Sequence, residues 1–165
     1  MNDVWNLDPI YKGFDDPAYD ADMAALKELV EKIQALATQL PELENLQGLK
    51  RGIALQEEFM MLVSKLAGYA SLRQAANTRD SEAGSRMGQV MQLYSGVAAP
   101  FAAWKEWAAK VENLQELVAG DEELKDYAFL FKNLEESSRY LLSGIAEAVM
   151  AKMGMSGGNA WSDMQ

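Results

Sequence analysis

Carboxylates are the side chains of this sequence with the most obvious chemical use. Three adjacent pairs stand out: Glu57-Glu58, Glu122-Glu123 and Glu135-Glu136. Helical bundles use glutamates to hold two metal ions, but such sites combine Glu with Glu-x-x-His pairs. The 165-residue chain has no His. Adjacent residues also point in different directions around a helix. The three pairs therefore read as solvated helix surface. The missing His removes the commonest general base, the Ser-His and Cys-His dyads and the usual zinc sites. The missing Cys removes thiolate chemistry and disulfides. Gly157-Gly158 precedes neither a predicted helix nor a Lys, so it makes no phosphate loop. A mechanism on Lys, Tyr or carboxylates is chemically allowed, yet no spacing points to one. Taken by itself, the chain is predicted to be inactive.

The remaining distinctive residues are apolar. The ten Met fall mostly on or beside helical stripes, as Met23, Met87 and Met91 do, which favours core filling over an adaptable binding groove. Trp104 and Trp107 share a helix face with Phe101. Phe101 and Trp104 continue a buried stripe, whereas Trp107 is offset from it and is the better candidate for docking a partner.

The elements that must position these residues are helices. Apolar residues make up 49% and charged residues 24%, with only 4 Pro, and no block rich in Val, Ile and Thr suggests a strand. A length of 165 residues fits one domain. The net charge of −10 argues against nucleic acid, whose phosphates need Lys and Arg, and against anionic membranes. Met87 to Trp104 is uncharged but too polar to span a bilayer. The N-terminus has no basic stretch followed by an apolar run, so it is not a signal peptide, and the expected location is the cytoplasm.

Residues 1–17 read as an irregular arm carrying Trp5, Leu7, Ile10, Tyr11 and Phe14. Asp16 and Pro17 suit the cap and first turn of a helix. That helix is predicted from about Pro17 to Leu40, with Met23, Leu26, Val30, Ile33, Ala37 and Leu40 on one face. A second is predicted from about Glu42 to Ala76, weakened locally by Gly48, Gly52 and Gly68. Asn77 to Ser81 is a polar break. The third, from about Ser81 to Val118, keeps its apolar phase (Met87, Val90, Tyr94, Val97, Phe101, Trp104, Ala108, Val111) through Pro100. This predicts one helix kinked at Pro100. A fourth should run from Asp121 to about Arg139 with Leu124, Tyr127, Phe131 and Leu134 inward. A short fifth from Ser143 to Met153 would end at Gly154. The expected fold is all-α: an antiparallel bundle of four to five mostly long helices. Its expected parts are an arm (1–17), a bundle (18–154) and a tail (155–165).

The tail sets Trp161, a large apolar group, beyond a glycine pair near a free end. Three stretches taken together resemble one family. Val4-Trp5-Asn6-Leu7-Asp8-Pro9-Ile10-Tyr11 opens the chain. Leu66-Ala67-Gly68-Tyr69-Ala70-Ser71-Leu72 runs into Asn77-Thr78-Arg79-Asp80. Leu142-Ser143, Glu147 and Ser156-Gly157-Gly158-Asn159-Ala160-Trp161-Ser162 close it. Their order is similar to the N-terminal region of the oligoendopeptidase F family of zinc metallopeptidases. Ser138-Arg139-Tyr140-Leu141 departs from that pattern, which often has a His there.

The resemblance implies a helical lobe over a peptide channel, followed by a catalytic domain whose H-E-x-x-H motif holds zinc and cleaves short peptides. No position here matches that motif, so no catalytic or zinc-binding residue is assigned, and zinc is expected only in the missing domain. Trp5, Tyr11, Asn159 and Trp161 are the candidate interdomain contacts. The expected partners are the catalytic domain of the same parent chain and its peptide substrate. An exposed apolar face is expected, bordered by Trp5 or Trp161, and self-association would cover it. The alternative is a freestanding acidic helical module that binds a partner protein. A reading frame that continues past Gln165 into H-E-x-x-H distinguishes the first from the second.

Overall fold

The computed structural model describes residues 6–138. Trp5, Asn159, Trp161, the fifth predicted helix and the 155–165 tail lie outside the described residues. Among the described residues the fold is all-α, with six α-helices and two 3-10 turns.

Helix α1 (Pro17–Gln39) begins as its sequence predicts: Asp16 caps it by accepting the Ala18 N–H at 2.9 Å, with Pro17 in the first turn. It buries Tyr19, Met23, Leu26, Val30, Ile33 and Leu36 along one face and passes into a 3-10 turn, Leu40–Glu42, at Pro41. Helix α2 (Asn45–Ala76) is capped by the Glu44 carboxylate, which accepts the Leu46 and Gln47 N–H groups at 3.2 and 3.0 Å. Helix α3 (Ser81–Gly96) is capped by Asp80, which accepts the Ala83 N–H at 3.0 Å.

The third predicted helix is in fact three: α3, α4 (Ala98–Ala109) and α5 (Leu114–Gly120). The interruption attributed to Pro100 lies at Val97, three residues earlier. Pro100 has no N–H to give the Gly96 carbonyl, and its ring crowds that carbonyl. The turn before it tightens, and the Val97 N–H bonds back to the Tyr94 oxygen at 3.3 Å. Between α4 and α5 the backbone reverses at Asn113, which takes a left-handed conformation with φ 54°. Asn tolerates this conformation better than most residues. The fourth predicted helix also starts late. Asp121 accepts the Glu123 and Leu124 N–H groups, a 3-10 turn follows at Lys125–Tyr127, and α6 spans Ala128–Ser138.

Side-chain pairs give the direction of packing. Asp22 meets Lys65 while Gln39 meets Arg51, so α1 and α2 run in opposite directions. Gly52 faces Trp104 and Gly48 faces Trp107, so α2 and α4 are antiparallel as well. These last contacts explain two glycines that weaken a helix. Gly48 and Gly52 are one turn apart and open a notch in α2. The Trp104 indole fills the notch, 1% exposed, and donates its Nε1–H to the Gly48 carbonyl at 3.0 Å. On α6, Phe131 lies 6.3 Å from the Trp104 ring, centroid to centroid.

A Cβ at Gly52 would overlap the indole, whereas one at Gly68 would meet nothing within 4 Å. Overpacking costs about 1–3 kcal/mol, more than the ~0.5–1 kcal/mol a helix gains from Gly to Ala. Urea unfolding should therefore show Gly52→Ala destabilised and Gly68→Ala stabilised by about 0.5–1 kcal/mol. Equal gains at both positions would mean that the notch does not hold the tryptophan.

Candidate functional site

Two constellations unite residues far apart in sequence. The first is an aromatic clamp where the N-terminal arm meets α1 and α2. Tyr11 and Phe14 each stand edge-on to both Tyr19 and Tyr69, at centroid distances of 5.1–5.2 Å, an arrangement that ring quadrupoles favour. Cations cover the rings: Lys65 lies 4.7 Å from the Tyr11 centroid, Arg73 5.1 Å from Phe14 and Arg86 5.4 Å from Tyr19. The Asp22 carboxylate ties the clamp, accepting from the Tyr11 hydroxyl at 2.5 Å and from Lys65 at 2.6 Å. Arg73 is held in turn by Asp80 at 3.1 Å.

Tyr11, a candidate interdomain contact, is thus 1% exposed and enclosed by this chain's own residues. The arm's described apolar side chains, Leu7, Ile10, Tyr11 and Phe14, pack on its own bundle. The middle stretch that carried the family resemblance is architectural here. Leu66, Tyr69 and Ala70 are buried, and Asp80 both caps α3 and holds Arg73.

Burial, followed by the hydrogen bond to Asp22, raises the Tyr11 hydroxyl above its ordinary value. Burial opposes ionisation of Asp22, but Lys65 and Tyr11 outweigh it and hold that carboxyl low. The folded state keeps the tyrosine proton more tightly than the unfolded chain does. Its contribution is therefore whole below about pH 10 and is lost as the pH rises further. The Asp22 contribution is present above about pH 4 and lost as the pH falls below it. Tyr11→Phe should lower stability at pH 7 by about 1 kcal/mol and flatten the decline above about pH 10. Denaturant titrations at pH 7 to 11 check this; an unchanged alkaline slope would detach Tyr11 from that decline.

The second constellation is a groove along the outer face of α2. At one end Gln56, Phe59 and Met60 meet Tyr94, Val97, Phe101 and Lys105 of the α3–α4 wall around a hollow of about 310 Å³. Phe59 stacks on Tyr94 at 6.1 Å and stands edge-on to Phe101 at 6.0 Å. In the middle, Ile53, Gln56, Glu57 and Met60 face Tyr127 and Leu130. At the far end Lys50, Ala54 and Glu57 face Glu122, Glu123, Asp126 and Tyr127. The Tyr127 hydroxyl donates to Glu57, which is foremost among the causes that raise it above its ordinary value.

The glutamate pairs have distinct partners rather than a common ligand. Glu123 meets Lys50 at 3.2 Å, Glu122 meets Lys125, and Glu135 accepts from Gln115 at 2.9 Å. Among the described residues no three Asp or Glu side chains converge as metal ligands would. Trp104 belongs to the core. Trp107 is half-buried, its ring over Gly48.

Exposure is where sequence reasoning missed most. Tyr94, assigned to a buried stripe, is 45% exposed, and Met60 and Met61, outside any stripe, are 41% and 67% exposed. Two neighbouring apolar residues off the stripe were the available signal. The groove also needs Tyr127 and Leu130, and no local pattern pairs those with α2.

Comparison with known proteins finds similarity to one family. Residues 108–165 match the family described as Oligopeptidase F. Over 152 residues the chain is 24% identical to Oligopeptidase PepF of Bacillus subtilis (strain 168), a stretch covering 91% of this chain and 22% of that protein. The chain thus spans about a fifth of that relative's length. No solved structure matches. Together the two matches support an N-terminal domain of the oligopeptidase F family. The described part of the family match contributes Val111, Leu114, Val118, Leu124 and Phe131 to the core. No helix among the described residues is long and apolar enough to cross a membrane.

Proposed function

We propose that this chain is the N-terminal lobe of an oligoendopeptidase F-like zinc metallopeptidase acting in the cytoplasm. The lobe walls the substrate channel and limits access to short, unfolded peptides. Hydrolysis belongs to a catalytic domain of the same parent chain, which would hold the zinc. One observation carries the reading: a chain similar to a peptidase along 91% of its length lacks the His that an H-E-x-x-H zinc site needs. With no His and no Cys, and no convergent carboxylates among the described residues, its residues do not fit zinc. Exposed Met61 and Phe129, the latter 75% exposed, support a surface that another domain or a second copy covers. A freestanding interaction module needs only the groove; the family matches favour the lobe.

The isolated chain, incubated with zinc and a mixture of short peptides, should give no cleavage products by mass spectrometry. Coexpressed with the remainder of a parent peptidase, it should raise that remainder's activity at least tenfold. Zinc-dependent turnover at a defined bond by the isolated chain would overturn the assignment.

A further inference from the structure

The groove along α2 has a polarity that the lobe role does not explain. Its Phe59–Phe101 end is apolar, and its Glu57–Asp126 end is acidic. Lys50, engaged by Asp121 at 2.8 Å and Glu123 at 3.2 Å, and Lys125, paired with Glu122, offset only part of the acidic end and leave Glu57 and Asp126 without an ion pair among the described residues. Asp126 is exposed. Between the two ends, the Gln56 side-chain oxygen is buried without a hydrogen-bond partner, although Gln56 lines both the apolar hollow and the central part of the groove.

Dimensions narrow the occupant. The apolar hollow of about 310 Å³ sits at the small end of ligand pockets, roughly 300–1,000 Å³, and suits one large side chain. On α2, Phe59 and Glu57 are two residues apart, about 3 Å along the axis but on different sides of it, with Gln56 and Met60 between them. In an extended peptide, side chains two apart lie on one face about 6.6 Å from each other. A peptide backbone crossing α2 over Gln56 and Met60 presents one side chain to each end.

We propose that this groove binds a short extended peptide, with an apolar side chain against Phe59 and Phe101 and a lysine or arginine against Glu57 and Asp126. That the occupant is a free peptide rests on the lobe reading above; the charge and the hollows do not. The groove would then impose a preference for apolar–basic peptides before any bond is cleaved. Attraction to a protein of net charge −10 would speed the encounter, and salt would weaken it.

The test is fluorescence anisotropy of the 165-residue chain with two labelled hexapeptides, carrying phenylalanine two residues before or two residues after an arginine. At least one should bind saturably, and replacing its arginine by glutamate should weaken binding at least tenfold. Glu57→Gln combined with Asp126→Asn, which keeps the acceptor for Tyr127, should erase that discrimination. Met60→Glu, at an exposed position, should weaken binding at least tenfold with an unchanged circular dichroism spectrum. Absence of saturable binding to the folded chain overturns the proposal, as does equal binding of the arginine and glutamate peptides or indifference to these variants. A chain that restores activity to a parent peptidase yet binds neither peptide keeps the lobe role and loses the groove.

Discussion

The seat of Trp104 in the Gly48–Gly52 notch is the contact on which the rest of this fold depends. It joins α2 to α4 by shape and by one hydrogen bond to a helix carbonyl. The indole then offers its other side to Phe131, which brings in α6. Without side chains at the two glycines the helices approach closely, and α4 takes the position from which Phe101 and Lys105 can wall the groove. The groove is thus a by-product of the notch. Its floor is the α2 surface that α4 leaves bare after Trp104 has drawn the two helices together.

At the opposite end of α2 the packing logic changes from shape to charge over rings. Tyr11, Phe14, Tyr19 and Tyr69 meet edge-on, and Lys65, Arg73 and Arg86 lie across them. Each of the first two cations is also bound by a carboxylate, Asp22 or Asp80. This arrangement spends three of the chain's 15 basic residues in one place and helps leave the groove end acidic. One long helix thus carries close packing at both ends, with the groove between them.

Much of the helical framework was legible because local chemistry marks it. Asp16-Pro17 announces α1, Asp80 announces α3, and the three-and-four spacing of Met23 to Leu36 marks the buried face. Pro100 was misleading for a physical reason. The apolar phase continues across Val97, so a boundary made by one lost hydrogen bond leaves no mark in the period. Gly48 and Gly52 read as weaknesses because their justification, Trp107 over the first and Trp104 over the second, lies some fifty residues away in the chain. Periodicity placed Tyr94 on an apolar stripe correctly. It cannot say that no described neighbour covers that part of the stripe, and this is why the groove was invisible. Tyr11 was singled out for the right property, a large ring in an irregular arm, but its partners Asp22 and Lys65 belong to elements that no local pattern brings together.

The separation of clamp and notch also sets an order of assembly. Every side chain of the clamp lies between residues 11 and 86, whereas the notch waits for Trp104 and Phe131. On a ribosome, where N-terminal parts emerge and fold first, the far half of α2 can dock on α1 while its near half still has two unfilled glycines. Closing the loop from Gly52 to Trp104 then becomes a later, separate event, whose entropy grows only slowly with loop length. The groove, walled by Phe101 and Lys105 of α4, thus belongs to the part of the core that only the later residues complete.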